Sequence, residues 1–193
     1  MNAAALWKQI ASRTDEIYVV GETLLPIFRE TMAGLVAEAG LPPTALDLGP
    51  LKDPVRVSEK AAESYGDRFD DGVLCEACVT DMLRCRGLCE SGLAMLKLLM
   101  LLAQEGGFDY TTKNGGNAHV SLLRSKNKFG SKDIGPTHFR NVLNNLELSF
   151  NGSSMFVEMQ IHHVDIMQVT EKSRFLYSFR IYKFPHISIL LIC

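Results

Sequence analysis

The sequence predicts an α/β domain, of the α+β kind, in which helices pack against a β-sheet. Residues 155–162 alternate between apolar and polar side chains, as a strand with one buried face does. Residues 91–106 are apolar over several helical turns, beginning at Ser91 as a capping residue. The residues NGSS at 151–154 separate two strand-like runs and are typical of a hairpin turn. The chain therefore has strands that pair through a turn and a helix apolar enough to cover them.

The alternating run FVEMQIHHVDI at 156–166 gives the sharpest expectation. With Met155, its apolar face is Val157, Met159 and Ile161, and the opposite face is Phe156, Glu158, Gln160 and His162. The pattern by itself favours a half-buried edge strand with a solvated polar face. The alternative is that Glu158 is a carboxylate fixed on a rigid strand for chemistry.

The first part of the chain has a helical pattern over residues 1–39. A cap is predicted at Ser12 and Asp15, and Pro26 is predicted to mark a first turn or a kink. The apolar stripe of this helix is Leu24, Phe28, Met32, Leu35 and Val36. The segment LPPTALDLGP that follows is interpreted as a linker.

A domain boundary is predicted near Gly49. Residues 1–48 are then a helical extension with its linker, residues 49–183 the main domain, and residues 184–193 an apolar tail. Within the main domain, VRVSEKAAESYGDR carries a helical pattern and residues 77–89 have strand character.

The helix after Ser91 is apolar nearly all round apart from Lys97, so it is expected to be largely buried. Further strands are predicted near 118–126, 140–150 and 154–162, and a last helix at about 163–182 with Phe175, Phe179 and Tyr182 packed.

Composition narrows the function classes. The 193 residues carry a net charge of −2, which argues against a surface coated with basic residues for a nucleic acid duplex. A local basic stretch between Lys113 and Arg140 indicates a small anionic ligand instead. The sequence shows no secretory signal, and its apolar runs are shorter than the roughly 20 residues that span a membrane. A cytoplasmic protein without a membrane partner is expected.

Two groups of residues are candidates for chemistry. Asp81 and Glu158, on different strands of one sheet, are hard oxygen donors of the kind that hold Mg²⁺ against nucleotide phosphates. In RSKNKFGSK, alternation places Arg124, Lys126 and Lys128 on one strand face, as a row that neutralises phosphate requires. The alternative for that row is a solvated edge strand whose lysines discourage pairing.

Cysteines and histidines offer weaker metal patterns. Cys75, Cys78, Cys85 and Cys89 allow a structural zinc site, but the second pair lacks the spacing of a second zinc knuckle, so buried thiols are favoured. His162 and His163 are adjacent in a strand and point to opposite faces, so they are not expected to act together.

The order of LKDPVRVSEK, VTDMLRCRGLC, RSKNKFGSKDIGPTHFRNVLNNL and FVEMQIHH resembles the synthetase domain of the RelA/SpoT alarmone family. Asp81 precedes Arg86 by five residues, Lys126 and Lys128 precede Phe129, and Glu158 is followed by Gln160 and Ile161, as in that family. The resemblance implies a nucleotidyltransferase-like fold, a mixed β-sheet flanked by helices. It also implies transfer of pyrophosphate from ATP to the 3′-hydroxyl of GDP or GTP.

The resemblance assigns roles to individual residues. Asp81 and Glu158 would be the catalytic carboxylates and the Mg²⁺ ligands, with Glu158 also a candidate base. Nucleotide contacts would come from Lys52, Lys60, Arg86, Arg124, Lys126, Lys128, Phe139, Arg140, Gln160 and His162. The partners are therefore ATP and GDP or GTP, and a homo-oligomer is possible.

Two departures bear on activity. Where the family has Gly-Tyr, with the tyrosine stacked on guanine, this chain has His138-Phe139, and Phe139 keeps an aromatic plane but loses the hydroxyl. Either His138 replaces the family's glycine, or the loop shifts and Gly135 takes its place. Asp81 and Arg86 also differ by an odd number, which requires a bulge or an Asp81 that precedes the strand. The family's companion hydrolase is excluded, since the chain has no histidine before His119. The alternatives to an enzyme are a degenerate synthetase-like binding module and a zinc-stabilised structural domain.

Overall fold

Six strands of the chain form one sheet in the order β1-β2-β6-β5-β4-β3. The computed structural model describes residues 13–66, 74–130, 140–169 and 172. The strands are β1 (Leu46–Leu48), β2 (Leu83–Cys89), β3 (Phe108–Thr111), β4 (Asn117–Asn127), β5 (Val142–Phe150) and β6 (Ser153–His163). The helices are α1 (Thr14–Glu38), α2 (Pro54–Tyr65) and α3 (Gly92–Leu102), with short 3₁₀ turns at Pro43–Ala45 and Cys75–Cys78.

The sheet is mixed, as predicted. Strands β2 and β6 pair in parallel, with Leu83 opposite Val157 and Cys89 opposite His163, and all other neighbours are antiparallel. The parallel pair is joined by a crossover through α3 and the β3-β4-β5 meander. Strand β6 lies between β2 and β5 in the interior of the sheet, so the prediction of an edge strand is wrong.

Helices α1 and α3 cover the sheet face that carries the apolar side chains of β6. A Cβ on Gly21 of α1 would be in van der Waals contact with Met155 of β6, 3.4 Å away. A Cβ on Gly87 of β2 would lie 3.0 Å from Leu98 of α3 and 3.1 Å from Met159 of β6. The predicted stripe of α1 is fully buried in this core. Burial of each such aliphatic side chain contributes about 1.5–3 kcal/mol.

Local signals in the sequence set three of these elements. The Ser91 hydroxyl accepts a hydrogen bond from Ala94 N at 3.2 Å and caps α3. Asp53 caps α2 by accepting from Val55 N at 2.9 Å. Asn151 and Gly152 have φ of +49° and +81°, the left-handed pair that a two-residue hairpin needs, and they join Phe150 to Ser153.

Several predicted boundaries are corrected. Helix α1 begins at Thr14, so Asp15 lies in its first turn and is not its cap, and Pro26 lies in its interior and does not mark a first turn. The predicted linker contains β1, which pairs with β2. Strand β2 begins at Leu83 and not at residue 77, and residues 75–78 form a 3₁₀ turn.

Helix α3 is not largely buried, since Leu93, Leu96 and Met100 are 65%, 51% and 64% exposed. Strand β3 was not predicted. Ser12, Phe175, Phe179 and Tyr182 lie outside the described residues, as does most of the predicted last helix, of which residues 164–169 are helical.

Candidate active site

The face of the sheet opposite α1 and α3, called the site face here, carries two rows of residues across four strands that are polar except for Leu143. In the first row, Arg84 of β2 is opposite Glu158 of β6, which is opposite Asn145 of β5, which is opposite Arg124 of β4. The second row is Arg86, Gln160, Leu143 and Lys126. Register partners share a face of the sheet. The fold therefore brings together five of the predicted site residues.

A bulge in β4 places Arg124 and Lys126 on this face. The register runs from Leu122 opposite Leu146 to Arg124 opposite Asn145, so Leu123 is the extra residue. Without it, Arg124 would oppose Asn144 and Lys126 would oppose Val142, whose partners Met159 and Ile161 are on the helix-covered face. The bulge thus places Arg124 and Lys126 on the site face and not on the helix-covered face.

Asp81 lies just before β2 and is held by two lysines. Lys52 Nζ donates to Asp81 Oδ2 at 2.7 Å, and Lys60 Nζ of α2 lies 2.8 Å from Oδ1. Asp81 is only 6% exposed. Burial acts to raise its pKa, but the two adjacent ammonium groups outweigh this and lower the pKa below its ordinary value. The position before the strand resolves the odd spacing between Asp81 and Arg86.

Glu158 has the opposite electrostatic environment. Burial raises the pKa of this carboxyl, and the negative charge of Asp81 adds to the effect, against a hydrogen bond from Gln160 that lowers it. Asp81 and Glu158 lie near each other, because Thr80, the neighbour of Asp81, is hydrogen-bonded to Asn145, which is opposite Glu158. A carboxylate with a raised pKa is suited to accept a proton near neutral pH.

A chain of hydrogen bonds holds Glu158 in place. Gln160 Nε2 donates to Glu158 Oε1 at 2.5 Å, while Gln160 Oε1 accepts from Asn141 Nδ2 at 3.3 Å and lies 3.2 Å from His162 Nε2. Asn145 Nδ2 also donates to Thr80 Oγ1 at 3.0 Å, which ties the residue opposite Glu158 to the neighbour of Asp81. Among the described residues, Glu158 Oε2 accepts no hydrogen bond and is available for a ligand.

Three exposed cations of the site face have no acidic partner in the part of the chain that the structure describes. These are Arg84, Arg124 and Lys126. Arg84 was not among the predicted site residues, although the alternation in LRCR at 83–86 places it on the same strand face as Arg86. Unpaired cations beside two carboxylates fit an anionic ligand such as a phosphate chain.

Three other predicted nucleotide contacts, Arg86, Lys128 and Arg140, have partners other than the two carboxylates. Arg86 does not reach Asp81 but lies 3.4 Å from Asp47 Oδ2 on β1. Strand β4 ends at Asn127, so Lys128 is outside the predicted row. Its backbone nitrogen donates to Asn141 O, and Arg140 Nη1 donates to its carbonyl at 2.8 Å.

His162 is 1% exposed, and its ring nitrogen lies beside Gln160 rather than at the surface. Phe139 lies outside the described residues.

The four cysteines that allow a zinc site in the sequence are free thiols in the structure. Cys78, Cys85 and Cys89 are buried thiols and Cys75 is half-buried. Burial raises the pKa of Cys85 strongly and that of Cys89 to about 11, so neither is a ready thiolate. Among the described residues no three or more His, Cys, Asp or Glu side chains converge as a metal-binding group.

Within the same residues, none of the helices has the length and apolar character needed to cross a membrane.

No protein-family model matches the chain, and no curated protein matches it in sequence. Solved structures do match. Small alarmone synthetase 1 of Bacillus subtilis, solved with its product pppGpp, has a TM-score of 0.57 and 12% identity, over 89% of this chain and 82% of that one. Small alarmone synthetase 2 of the same organism has a TM-score of 0.56 and 11% identity, over 89% and 83%.

A GTP pyrophosphokinase family protein of Streptococcus pneumoniae matches with a TM-score of 0.54 and 15% identity, over 88% of this chain and 76% of its own. At such identities the likeness concerns the fold and not the chemistry. The chain therefore has the fold of the alarmone synthetases, which is the fold that the resemblance to the RelA/SpoT synthetase domain implied.

Proposed function

We propose that this chain binds purine nucleotides with Mg²⁺ and transfers pyrophosphate from ATP to the 3′-hydroxyl of GDP or GTP. The observation that carries the proposal is the row of Arg84, Glu158, Asn145 and Arg124, with Asp81 beside it. It joins a carboxylate pair to unpaired cations on one face of a synthetase-like fold. Phosphoryl-type transfer depends mainly on such positioning and charge stabilisation.

The oxygen donors of the carboxylate pair fit Mg²⁺, although the metal would have to displace a lysine from Asp81. Mg²⁺ prefers hard oxygen donors and usually takes one or two carboxylates from the protein, which Asp81 and Glu158 supply. The two ammonium groups on Asp81 occupy its oxygens, and Lys60, 35% exposed, is the easier of the two to displace. When bound, the metal would neutralise the phosphate oxygens of the nucleotide.

The residues of the chain then have separate roles. The acceptor's 3′-oxygen would attack the β-phosphorus of ATP, the bond to the α-phosphate oxygen would break, and AMP would leave. Glu158, with its raised pKa and its fixed Oε1, would take the proton of the hydroxyl. Arg124, Lys126 and Arg84 would neutralise the charge of the phosphates.

The test is incubation of the purified chain with ATP and GDP or GTP in Mg²⁺, followed by separation of the nucleotides by ion-exchange chromatography. AMP and a guanosine 3′-diphosphate product should form in equal amounts. Glu158→Gln should reduce the rate roughly 100-fold or more, as loss of a general base does. Glu22→Gln, at an exposed position on α1, is the matched control and should leave the rate unchanged. Absence of product from the unmodified chain contradicts the proposal.

The second candidate is a synthetase-like binding module without turnover. It is favoured by the pairing of both Asp81 oxygens with lysines, which a metal must displace, and by Phe139 where the family has tyrosine. Calorimetry with ATP and GDP separates the two functions. Binding of both nucleotides without formation of AMP supports the module.

A further inference from the structure

A groove of about 830 Å³ lies at the edge of the sheet that β3 forms, away from the carboxylate pair. Strand β3 makes one wall, and the last turns of α1 and α3 make the other. Pockets for organic ligands are usually about 300–1,000 Å³, so the groove has room for a short peptide segment. None of the described residues that line it belongs to the two rows of the site face.

The backbone groups on the outer side of β3 can be assigned from its pairing with β4. In an antiparallel pair, residues that exchange backbone hydrogen bonds alternate with residues whose N–H and C=O point away from the partner strand. Thr112 N donates to Gly116 O at 2.8 Å, so these two residues form a pair of the first kind. Counting back along the register, Thr111 and Asp109 belong to pairs of the second kind. Their N–H and C=O groups therefore point out from the free edge that lines the groove.

The outward groups on either side of these two residues are already bonded within the chain. Gly107 N donates to Gln104 O at 3.2 Å, and Gly107 O accepts from Gln104 Nε2. Lys113 N donates to Glu30 Oε2 of α1 at 3.0 Å. Within the described part of the chain, the outward groups between these two points have no such partner. The edge is thus open over residues 109–111, where an added strand would gain backbone hydrogen bonds.

Small residues of α1 keep the wall opposite β3 low. Ala33 and Ala37 are one helical turn apart, and Gly34 lies beside them. A Cβ on Gly34 would overlap the ring of Tyr110, so the glycine allows that ring to lie directly against the helix. A residue opposite Tyr110 in an added strand would point to the same side of the sheet, toward α1. That position favours an apolar side chain.

The groove is acidic. Glu38 and Asp109 are among the described residues that line it, and none of those residues is a lysine or an arginine. The Asp109 side chain is 80% exposed, with His119 Nδ1 2.8 Å from its Oδ1. A lysine or arginine opposite Asp109 in an added strand would share its face and form a favourable cross-strand pair. A second copy of the same edge would instead bring like acidic residues near one another, which disfavours self-pairing.

We propose that the free edge of β3 binds an extended segment of a partner protein in which lysine or arginine alternates with apolar residues. The segment adds a strand beside β3, with backbone hydrogen bonds to Asp109 and Thr111. Its basic side chains lie beside Asp109, and its apolar side chains face α1. Binding is independent of the proposed enzymatic activity, because the groove is lined by none of the residues assigned to nucleotides or metal.

The test uses a short synthetic peptide of alternating lysine and valine, KVKVKVK, with a fluorescent label, titrated with the full chain by fluorescence anisotropy. The unmodified chain should bind it, and the peptide with glutamate in place of each lysine should not bind. Thr111→Pro should weaken binding about 10-fold or more, because proline removes the outward N–H and its ring occupies the edge. Thr111→Val keeps the N–H and the branched Cβ, so it is the matched control and should bind as the unmodified chain does.

A second variant tests the charge without altering the backbone of β3. Glu38→Gln combined with Asp109→Asn removes both acids and should weaken binding about 5-fold at low ionic strength. Glu22→Gln combined with Glu63→Gln removes two exposed acids outside the groove and is the matched control. Thermal unfolding verifies the fold of each variant, and the acid variant carries the test where Thr111→Pro does not fold.

Amide hydrogen exchange, measured by NMR, locates the bound peptide. The N–H groups of residues 109 and 111 should exchange rapidly in the free chain and more slowly with KVKVKVK bound. Absence of peptide binding overturns the proposal, as does equal affinity of Thr111→Pro and Thr111→Val. Slow exchange of both groups in the free chain also overturns it, because another segment or a second copy then occupies the edge. A chain that binds the peptide but forms no AMP supports this site and contradicts only the enzyme.

Discussion

At the scale of single residues, the site contains two carboxylates whose pKa values are moved in opposite directions by their neighbours. Asp81 is stabilised in its charged form by Lys52 and Lys60, and Glu158 is destabilised in its charged form by burial and by Asp81. The same burial therefore has different consequences, because Asp81 has two ammonium groups and Glu158 has one neutral amide.

The first prediction compares Asp81→Asn with Glu158→Gln. Asp81→Asn leaves Lys52, whose side chain is 11% exposed, buried without its counter-charge, and should cost about 3 kcal/mol of unfolding free energy. Glu158→Gln removes a buried charge that the fold disfavours and should cost nothing or be stabilising at pH 7. Urea unfolding of the three proteins measures both. Equal destabilisation by the two substitutions would show that the opposite pKa shifts are wrong.

The pH dependence of these differences follows from the same shifts. The pKa of Asp81 lies below its ordinary 3.8, so its stabilisation is complete above about pH 4 and is lost as the pH falls through the lowered pKa. The deficit of Asp81→Asn should therefore shrink in acid. The pKa of Glu158 lies above its ordinary 4.5, so any advantage of Glu158→Gln should grow as the pH rises above about 4.5 and should be complete above the raised pKa.

At the scale of elements, the β5-β6 hairpin fixes the position of Glu158. The turn at Asn151-Gly152 sets Asn145 opposite Glu158, and a slip of one residue would turn Glu158 to the helix-covered face. Two left-handed residues are needed at this turn, and Gly152 has φ of +81°.

The second prediction is that Gly152→Ala costs about 1 kcal/mol of unfolding free energy, since alanine is strained at positive φ. Thermal unfolding should show a decrease of roughly 2–4 °C in Tm for a chain of this size. Gly92→Ala is the matched control. Gly92 begins α3 with ordinary φ and open space around its Cβ position, so that substitution should be neutral or slightly stabilising. A Gly152→Ala protein as stable as the unmodified chain would contradict the strained turn.

Elements set by local signals can be predicted from the sequence, whereas elements set by strand pairing cannot. The alternation of β6, the hairpin turn and the cap at Ser91 are local signals, and the structure confirms all three. The bulge at Leu123 is not local, because only pairing with β5 shows that one residue is extra. The three-residue strand β1 is too short to show a period, and it depends on pairing with β2.

Burial is also set by partners that lie far apart in sequence. Helix α3 is apolar on all sides, yet the sheet covers only the side of Met95, Leu98 and Leu102. The carboxylate pair is predicted as two acids on different strands of one sheet and from the order of motifs, whereas Arg84 is not predicted, because its place in the row depends on which residue is opposite it in β6.

At the scale of the whole molecule, α1 belongs to the same hydrophobic core as the sheet. Leu35 of α1 and Leu146 of β5 are both fully buried in one cluster, although the sequence boundary near Gly49 separates them. Helix α1 also contributes at the edge of the site, since the Tyr18 hydroxyl donates to the carbonyl of Lys52 at 3.0 Å, and Lys52 holds Asp81. Loss of packing at α1 is therefore expected to lower the free energy of unfolding of the whole sheet.

The third prediction uses three leucines to test this shared core. Leu35→Ala and Leu146→Ala each remove a fully buried side chain and should each cost about 2–5 kcal/mol, in one urea transition that circular dichroism and intrinsic tyrosine fluorescence report together. Leu96→Ala, at a residue 51% exposed on α3, is the matched control and should change stability by less than about 0.5 kcal/mol. If α1 unfolded independently, Leu35→Ala would produce an early transition that leaves the sheet intact, while Leu146→Ala would not. A single transition shifted by both substitutions means that residues 14–38 fold with the site they support.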